Sequence, residues 1–314
     1  MTLNDRAHEL CEQIVRDAQQ LRVSVETLDC GTRISDCGVA APGGLEAGRR
    51  LAEICMAGLG SVSLSNLESD PIHGPGVEVR TDHAKLACMA SQYAGWEVKG
   101  EGYFAMGSGP MRAAAAREPL FDDIAYRETA AACVGVLETS KTPPAAVCEG
   151  IALKCGVAAS GLTLLIARTR SLAGTMQIVA RTVETAMHKL FELEFDLSQI
   201  ESGVGTAPLP PVAADQLSGI GRTNDAILYG AEVTLWLEAD DEELAELVEK
   251  IPSHASRDFG VPFAEIFQRY DGDFYKIDPH LFSPAKVCLM NLSSGRSFTS
   301  GETRDDLLAK SFTS

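Results

Sequence analysis

The middle of the chain shows an alternation of buried strand and helix patterns, and this feature restricts the fold more than any other. The apolar runs at 131–138 (AACVGVLE) and 162–167 (LTLLIA) predict strands that are buried on both faces. Residues 143–155 between them predict a helix, with prolines at its start and a glycine after its end. Residues 175–195 then give the longest helical pattern of the chain. Such alternation is typical of α/β proteins.

Hairpin patterns interrupt this alternation in other parts of the chain. Alternating residues at 23–28 and 33–39 flank a turn and predict one hairpin. Two short strands around a Gly-rich turn are predicted within 96–111, and another hairpin at 226–238. We therefore predict a mixed α/β fold in two lobes, with the active-site cleft between them, rather than one uniform parallel sheet.

Gly, Pro and Ala dominate residues 201–221, a composition that is typical of a long loop or linker. This segment predicts an N-terminal α/β lobe over 1–200, which includes the long helix at 175–195. The C-terminal α/β lobe then covers 222–314. Lobes that are discontinuous in sequence remain an alternative.

The charge of the chain excludes two classes of partner. Its 314 residues include 27 Lys and Arg against 44 Asp and Glu, a formal net charge of −17 at pH 7. No cationic cluster interrupts this negative charge, so we predict that the protein binds neither nucleic acid nor a membrane surface. The apolar runs are far shorter than the roughly 20 residues of a membrane span, and the N-terminus lacks a secretory signal pattern. A cytoplasmic protein with reduced cysteines is the expectation.

Motifs for metal or nucleophilic chemistry are missing from the sequence. The 6 histidines are scattered, and neither H-E-x-x-H nor the zinc deaminase pattern occurs. The G-x-S-x-G motif of serine hydrolases is also missing. We therefore predict no metal site and no covalent nucleophile.

Two glycine-containing segments could bind a ligand. Gly107, Ser108 and Gly109 follow a predicted strand and open a helix, where backbone N–H groups and the helix dipole favour an anion. The alternative is that these residues form only a tight turn between the strand and the helix. The second segment, 219–225, is predicted as a polar loop with one cation, and an ordinary turn is again the alternative.

The long predicted helix carries a charged pair among apolar residues. Arg181 and Glu184 are three residues apart and therefore lie on one face. In a partly dry environment the pair could make Glu184 a general base, because burial and a neighbouring guanidinium act on its pKa in opposite directions. A solvated ion pair with no functional role is the alternative. Two further polar strings, 253–260 and 274–279, combine a cation, a carboxylate and an aromatic residue.

Taken together, these strings resemble the methenyltetrahydromethanopterin cyclohydrolase family in family order over essentially the whole chain. Met111 departs from the family pattern, which more often has a small residue after the G-S-G-P turn. The matching strings are DCGVAAPGGLEAG (36–48), EICMAGLGSVSLS (53–65), TDHAKLACMASQYAGW (81–96), YFAMGSGPMRA (103–113), LETSKTP (137–143), SLAGTMQIVARTVETAMHKL (171–190), GRTNDAILYG (221–230), SHASRDFGVPF (253–263) and DFYKIDPHLFSPAKV (273–287).

The resemblance implies hydrolysis of N5,N10-methenyltetrahydromethanopterin to N5-formyltetrahydromethanopterin, without a metal or redox cofactor, in a homotrimer. Glu184 matches the catalytic glutamate of the family, and Arg181 matches its partnering arginine. The other candidates are polar or glycine residues that could bind the pterin or the anionic tail of the carrier. They are Asp36, Gly43, Gly44, Gly107, Ser108, Gly109, Lys141, Arg222, Thr223, Asn224, Asp225, Arg257 and Lys276.

Three alternatives to this function remain at the level of sequence. The chain could act on the corresponding folate, it could transfer a formyl group on the same carrier, or it could be a pterin-binding scaffold without activity. Arg181 and Glu184 are both present, which argues against the scaffold.

Overall fold

The computed structural model describes residues 1–68 and 73–313, which form two compact units. Unit 1 comprises Met1–Gly60 and Leu86–Gln177, and unit 2 comprises Ser61–Lys85 and Ile178–Ser314. Each unit contains a six-stranded sheet in which some adjacent strands are parallel and others are antiparallel. The predicted α/β fold class is confirmed. The units are discontinuous in sequence, so the predicted boundary at 200 does not divide them.

The strands, in chain order, are β1 (Ser24–Thr27), β2 (Arg33–Gly38), β3 (Gly60–Glu68), β4 (His73–Thr81), β5 (Trp96–Gly100), β6 (Tyr103–Ser108), β7 (Cys133–Glu138), β8 (Leu162–Ala167), β9 (Ile200–Pro208), β10 (Glu232–Leu237), β11 (Lys286–Asn291) and β12 (Ser297–Gly301). The α-helices are α1 (Leu3–Arg16), α2 (Ala18–Leu21), α3 (Leu45–Cys55), α4 (Met111–Ala115), α5 (Leu120–Asp123), α6 (Ala145–Cys155), α7 (Leu172–Val179), α8 (Thr182–Glu192), α9 (Gln216–Leu228), α10 (Asp241–Val248), α11 (Phe263–Arg269) and α12 (Asp305–Thr313). None of the helices in the described ranges is long and apolar enough to cross a membrane.

The sheet of unit 1 has the order β1-β2-β8-β7-β6-β5. Its centre is parallel, β2 with β8 and β8 with β7. The flanking pairs are antiparallel, and two of them, β1 with β2 and β5 with β6, are hairpins. Alternate residues of β8 enter different cores: Leu164 and Ile166 pack in one cluster, Leu165 and Ala167 in another. The strands predicted to be buried on both faces are therefore confirmed, as is the hairpin of β1 and β2.

Met111, the departure from the family pattern, is fully buried at the start of α4. Glycines make room for its long side chain: a Cβ at Gly135 would lie 2.2 Å from Met111 Sδ, and a Cβ at Gly107 would lie 3.0 Å from its Cε. Met111 thus packs against β7 and β6 where two strand residues lack side chains.

The N-cap of α1 is not the polar residue Asn4. Thr2 is the N-cap and forms a capping box with Asp5. Asn4 is buried instead, where its side chain donates to the Pro110 carbonyl and accepts from the Val134 backbone N–H. Residues Lys85–Gln92 form a π-helix.

The sheet of unit 2 has the order β12-β11-β10-β9-β4-β3, with β10 and β11 parallel. Helix α8 packs on this sheet at β9 and β10. The hairpin predicted at 226–238 is wrong, because α9 extends to Leu228 and β10 is a neighbour of β9 and β11.

The linker predicted at 201–221 is wrong. Residues 200–208 form β9, which pairs with β4 and β10, and α9 begins at Gln216. The glycines that indicated a loop leave room for side chains of α8. A Cβ at Gly203 would lie only 2.8 Å from Val183 Cγ1. A Cβ at Gly205 would lie 2.3 Å from Thr182 Oγ1. Close packing of a helix on a strand, rather than backbone freedom, requires these glycines.

Candidate active site

The long helix predicted at 175–195 is two helices, α7 and α8, with a break at residues 180–181. Arg181 is the N-cap of α8, with φ −99° and ψ 14°, in the bridge region where many active-site residues lie. Its carbonyl still accepts from the Thr185 N–H at 2.8 Å. Neither Pro nor Gly stands at the break, so the sequence contains no local signal for it.

The predicted pair of Arg181 and Glu184 forms at this break. Arg181 Nη1 lies 3.9 Å from Glu184 Oε2, and their side chains are 11% and 6% exposed. Glu184 occupies the first turn of α8, where the helix dipole stabilises a carboxylate. The guanidinium and the helix N-terminus together offset the loss of hydration that burial imposes on the charge. The alternative of a solvated surface pair is therefore wrong.

His188, which no sequence pattern singled out, follows Glu184 by one helical turn on α8. Its Nε2 lies 3.5 Å from Glu192 Oε1, and its side chain is 12% exposed. Burial lowers the pKa of His188 to about 4, and the charges of Lys189 and His280 act in the same direction. The i, i+4 spacing from Glu184 was the signal that could have identified it.

Lys189, the next residue, is almost fully buried and donates from Nζ to the His280 carbonyl at 2.8 Å. Burial lowers its pKa to about 8, while the charges of Asp278 and Glu192 oppose this shift. The ammonium therefore joins α8 to the loop at 278–280.

The two polar strings 253–260 and 274–279 fold against each other. Ser256 Oγ donates to Asp278 at 2.8 Å, and the Asp278 N–H donates to Asp258 at 3.1 Å. Arg257 is exposed, and its backbone N–H donates to Asp278. Lys276 is exposed as well, 3.8 Å from Asp271. The carboxylates of these strings hold two loops together.

Residues 222–225 lie within α9, so the polar loop predicted at 219–225 is wrong. Arg222 donates to the Ser311 and Pro211 carbonyls, and Asn224 donates to the Ile220 carbonyl. The Thr223 hydroxyl donates to the Gly219 carbonyl at 2.9 Å. These groups satisfy backbone carbonyls of unit 2.

Asp225, on the same helix, is fully buried and accepts from the Phe263 N–H at 2.8 Å. Burial raises its pKa to about 7. This carboxyl joins α9 to the start of α11 inside the core of unit 2.

Within unit 1, Asp36 holds the loop that follows β2. Its two carboxylate oxygens accept from the backbone N–H groups of residues 38–41, at 2.9, 2.6, 2.7 and 2.9 Å. Four bonds occupy the usual acceptor capacity of a carboxylate. Gly43 has φ +56°, and a Cβ there would lie 1.9 Å from the Cys37 carbonyl oxygen. Gly44 is the N-cap of α3.

The turn at 107–109 is buried in unit 1. Gly107 pairs with Trp96 across the hairpin, and Ser108 Oγ lies 3.2 Å from Cys55 Sγ. Gly109 has φ +91° and donates its N–H to the Ser91 carbonyl at 2.8 Å. These contacts are those of a tight turn between strand and helix. Lys141 is exposed and donates to the Gly102 carbonyl.

The structure thus brings some predicted residues together: Arg181 with Glu184 on α8, and Asp36 with Gly43 in one loop. All of the catalytic and substrate-binding assignments, these residues included, stay predictions. Among residues 1–68 and 73–313, no group of three or more His, Cys, Asp or Glu side chains is arranged to hold a metal ion.

A buried carboxylate beside a guanidinium, at a helix break in a mixed α/β protein, is an arrangement that can support acid–base chemistry. Comparison with known proteins identifies the family of this protein. The family model described as "Cyclohydrolase (MCH)" matches residues 2–312. The chain belongs to this cyclohydrolase family, which confirms the resemblance found in the sequence strings.

Individual relatives cover nearly the whole chain. Methenyltetrahydromethanopterin cyclohydrolase of Methylobacillus flagellatus is 47% identical over 99% of this chain and 95% of its own. The enzyme of the same name from Xanthobacter autotrophicus is 48% identical over 96% of this chain and 90% of its own. That of Methanospirillum hungatei is 41% identical, with 99% of both chains covered.

Proposed function

We propose that this protein hydrolyses N5,N10-methenyltetrahydromethanopterin to N5-formyltetrahydromethanopterin, with Glu184 as the group that moves protons. The buried pair of Arg181 and Glu184 at the start of α8 carries the proposal. Relatives that cover nearly the whole chain and bear this enzyme name support it.

The substrate needs little activation. Its methenyl carbon shares a positive charge with N5 and N10, so it is electrophilic before any catalyst acts. The reaction requires a water molecule at this carbon and a group that accepts the water's proton. It also requires a proton for N10, because the amine leaves as a neutral nitrogen. Proton transfer by a placed side chain contributes about 10² to 10⁴ in rate.

Glu184 can supply both proton steps. The ionised carboxylate accepts a proton as water attacks the methenyl carbon, and a tetrahedral carbinolamine forms. The protonated carboxyl then donates to N10, and the C–N10 bond breaks. The carboxylate, ionised again, accepts the hydroxyl proton, which leaves the N5-formyl group. Of the two protons of the water, one ends on N10 and the other stays on Glu184 until it is released.

Arg181 acts on Glu184 rather than on the bond that breaks. Its guanidinium, 3.9 Å from the carboxylate, favours the ionised base before attack. The same positive charge compensates the carboxylate in the absence of substrate. When the methenyl cation binds, its charge adds to the stabilisation of Glu184, and this charge disappears as the formyl product forms.

The proposal extends to the features that the family resemblance implies. We propose that the protein is a cytoplasmic homotrimer and that it acts without a metal or redox cofactor. Light scattering on the purified protein tests the trimer, because a monomer of 33.5 kDa would give one third of the trimer's mass.

The direct test is loss of the methenyl chromophore when the purified protein meets methenyltetrahydromethanopterin. The matched reaction uses methenyltetrahydrofolate at the same concentration. We expect turnover of the methanopterin substrate. Turnover of the folate alone would support the folate alternative, and turnover of neither would reject the proposed function.

A further inference from the structure

Three titratable side chains follow one another along α8 at four-residue spacing. Glu184, His188 and Glu192 are 6%, 12% and 32% exposed, so exposure of the side chains increases towards the end of the helix. Side chains four residues apart on a helix are neighbours, with Cβ atoms about 5–6 Å apart. The row therefore leads from a buried carboxylate towards solvent.

The proposed reaction needs such a path. Hydrolysis converts a cation and a water into a neutral formyl product and one proton. Glu184 must lose that proton before the next turnover, yet burial separates its carboxylate from bulk water. A carboxyl group that stays protonated cannot accept the proton of the next attacking water.

We propose that His188 passes the released proton from Glu184 to Glu192, which delivers it to solvent. This inference rests on the proposed function. His188 is then a relay that acts through Glu184, and not a group that touches the substrate.

The contacts of His188 fit this role. An imidazole accepts a proton at one ring nitrogen and releases one at the other. His188 Nε2 lies 3.5 Å from Glu192 Oε1, a distance that one small side-chain rotation closes to a hydrogen bond. Glu192 is exposed enough to exchange its proton with buffer.

The surroundings of His188 keep it from holding the proton. Lys189 on its own helix places positive charge near the ring, His280 in the 3-10 turn Pro279–Leu281 is a second basic neighbour, and Glu192 is its acidic neighbour. Burial, assisted by these basic neighbours, lowers the pKa of His188 to about 4. At neutral pH the ring is neutral, so a proton that enters it leaves again quickly.

The protons balance in each turnover. One proton of the attacking water ends on N10 of the product. The other leaves Glu184 for His188, while a proton of His188 moves to Glu192 and then to a buffer base. Every side chain returns to its starting state, and no oxidant or reductant is involved.

The test compares His188→Gln and Glu192→Gln with the wild-type protein, by following chromophore loss in dilute and in concentrated imidazole buffer. In dilute buffer we expect His188→Gln to lower kcat about tenfold or more with little change in KM. Added imidazole should restore kcat in proportion to its concentration. Glu192→Gln should lose about two- to threefold, because water partly replaces an exposed carboxylate.

His8→Gln and Glu243→Gln are matched controls, since both side chains reach solvent and both residues lie outside the row and the candidate site. Both controls should resemble the wild-type protein in either buffer. The relay is overturned if His188→Gln keeps wild-type kcat in dilute buffer, or if it loses activity that imidazole does not restore. Failure of the wild-type protein to turn over the substrate would overturn the proposed function and the relay with it. Because Glu192 is partly exposed, its variant tests the relay without risk to the fold.

Discussion

Two buried carboxylates, in different units, use their negative charge in different ways. Asp36 in unit 1 accepts four backbone N–H groups of the loop that follows β2. Glu184 in unit 2 lies 3.9 Å from the guanidinium of Arg181, at the N-terminus of a helix. The Asp36 carboxylate accepts from backbone groups of its own loop, whereas the Glu184 carboxylate lies beside the charged side chain of Arg181. We infer that Asp36 shapes a loop and that Glu184 performs chemistry.

The largest expected effect is on activity at Glu184. Glu184→Gln keeps the shape of the side chain but removes its ability to accept a proton. We expect kcat for chromophore loss to fall by about 10² to 10⁴, with the melting temperature nearly unchanged. Near-normal activity in this variant would contradict the mechanism. Glu184 would then no longer differ from Asp36 in having a chemical role.

Asp36→Ala should show the opposite pattern, a loss of stability. It leaves four backbone N–H groups without their acceptor, two of them buried, and we expect a cost of about 3 kcal/mol in the free energy of unfolding. Urea denaturation measures this, with Asp29→Ala as a control because Asp29 is an exposed acid in the same unit. Unchanged stability together with a raised KM would show that Asp36 binds the substrate instead.

Asp225 provides a third buried carboxyl, whose effect depends on pH. Burial raises its pKa to about 7 from 3.8, so the folded state binds more protons than the unfolded state between these values. Stability from this group is present below about pH 4 and is lost as pH rises to about 7, by up to about 4 kcal/mol.

The pH dependence of wild-type stability must be compared with that of Asp225→Asn, because His188 changes stability with pH in the opposite direction. The pKa of His188 is lowered to about 4 from 6.5, so its contribution to stability increases as pH rises over that interval. We therefore expect the wild-type protein to lose stability relative to Asp225→Asn between about pH 4 and 7. Parallel curves for the two proteins, measured by urea denaturation, would show that Asp225 keeps an ordinary pKa in the fold.

The sequence predicted the strands and helices whose patterns are local and unbroken. The apolar runs of β7 and β8 and the hairpin of β1 and β2 were recognised because burial on one or two faces sets their periodicity. The glycines of β9 were misread as a linker, since a glycine that admits a neighbouring helix looks the same as one in a loop.

The candidate site was predictable to a similar extent. Helical spacing placed Arg181 beside Glu184, but it could not show the break between α7 and α8 or the burial of the pair. The polar residues 222–225 indicated a loop, although their side chains form hydrogen bonds with backbone groups of α9 and its neighbours. Whether a polar side chain serves a ligand or the backbone depends on tertiary contacts, which the order of residues does not record.

The smallest expected effects concern two exposed lysines, one in each unit, that were predicted to bind the anionic tail of the carrier. Lys141 donates to the Gly102 carbonyl in unit 1, and Lys276 lies near Asp271 in unit 2. An exposed cation contributes up to about 1 kcal/mol to an ion pair, so loss of a tail contact should raise KM by up to about fivefold at low salt, with kcat unchanged.

Lys141→Ala and Lys276→Ala are compared with Lys250→Ala, which changes an exposed lysine outside the predicted site. The increase should vanish at high ionic strength, because salt screens exposed charges. An effect in one variant alone would assign the tail to that unit, and KM values equal to that of Lys250→Ala in both would remove these lysines from the site.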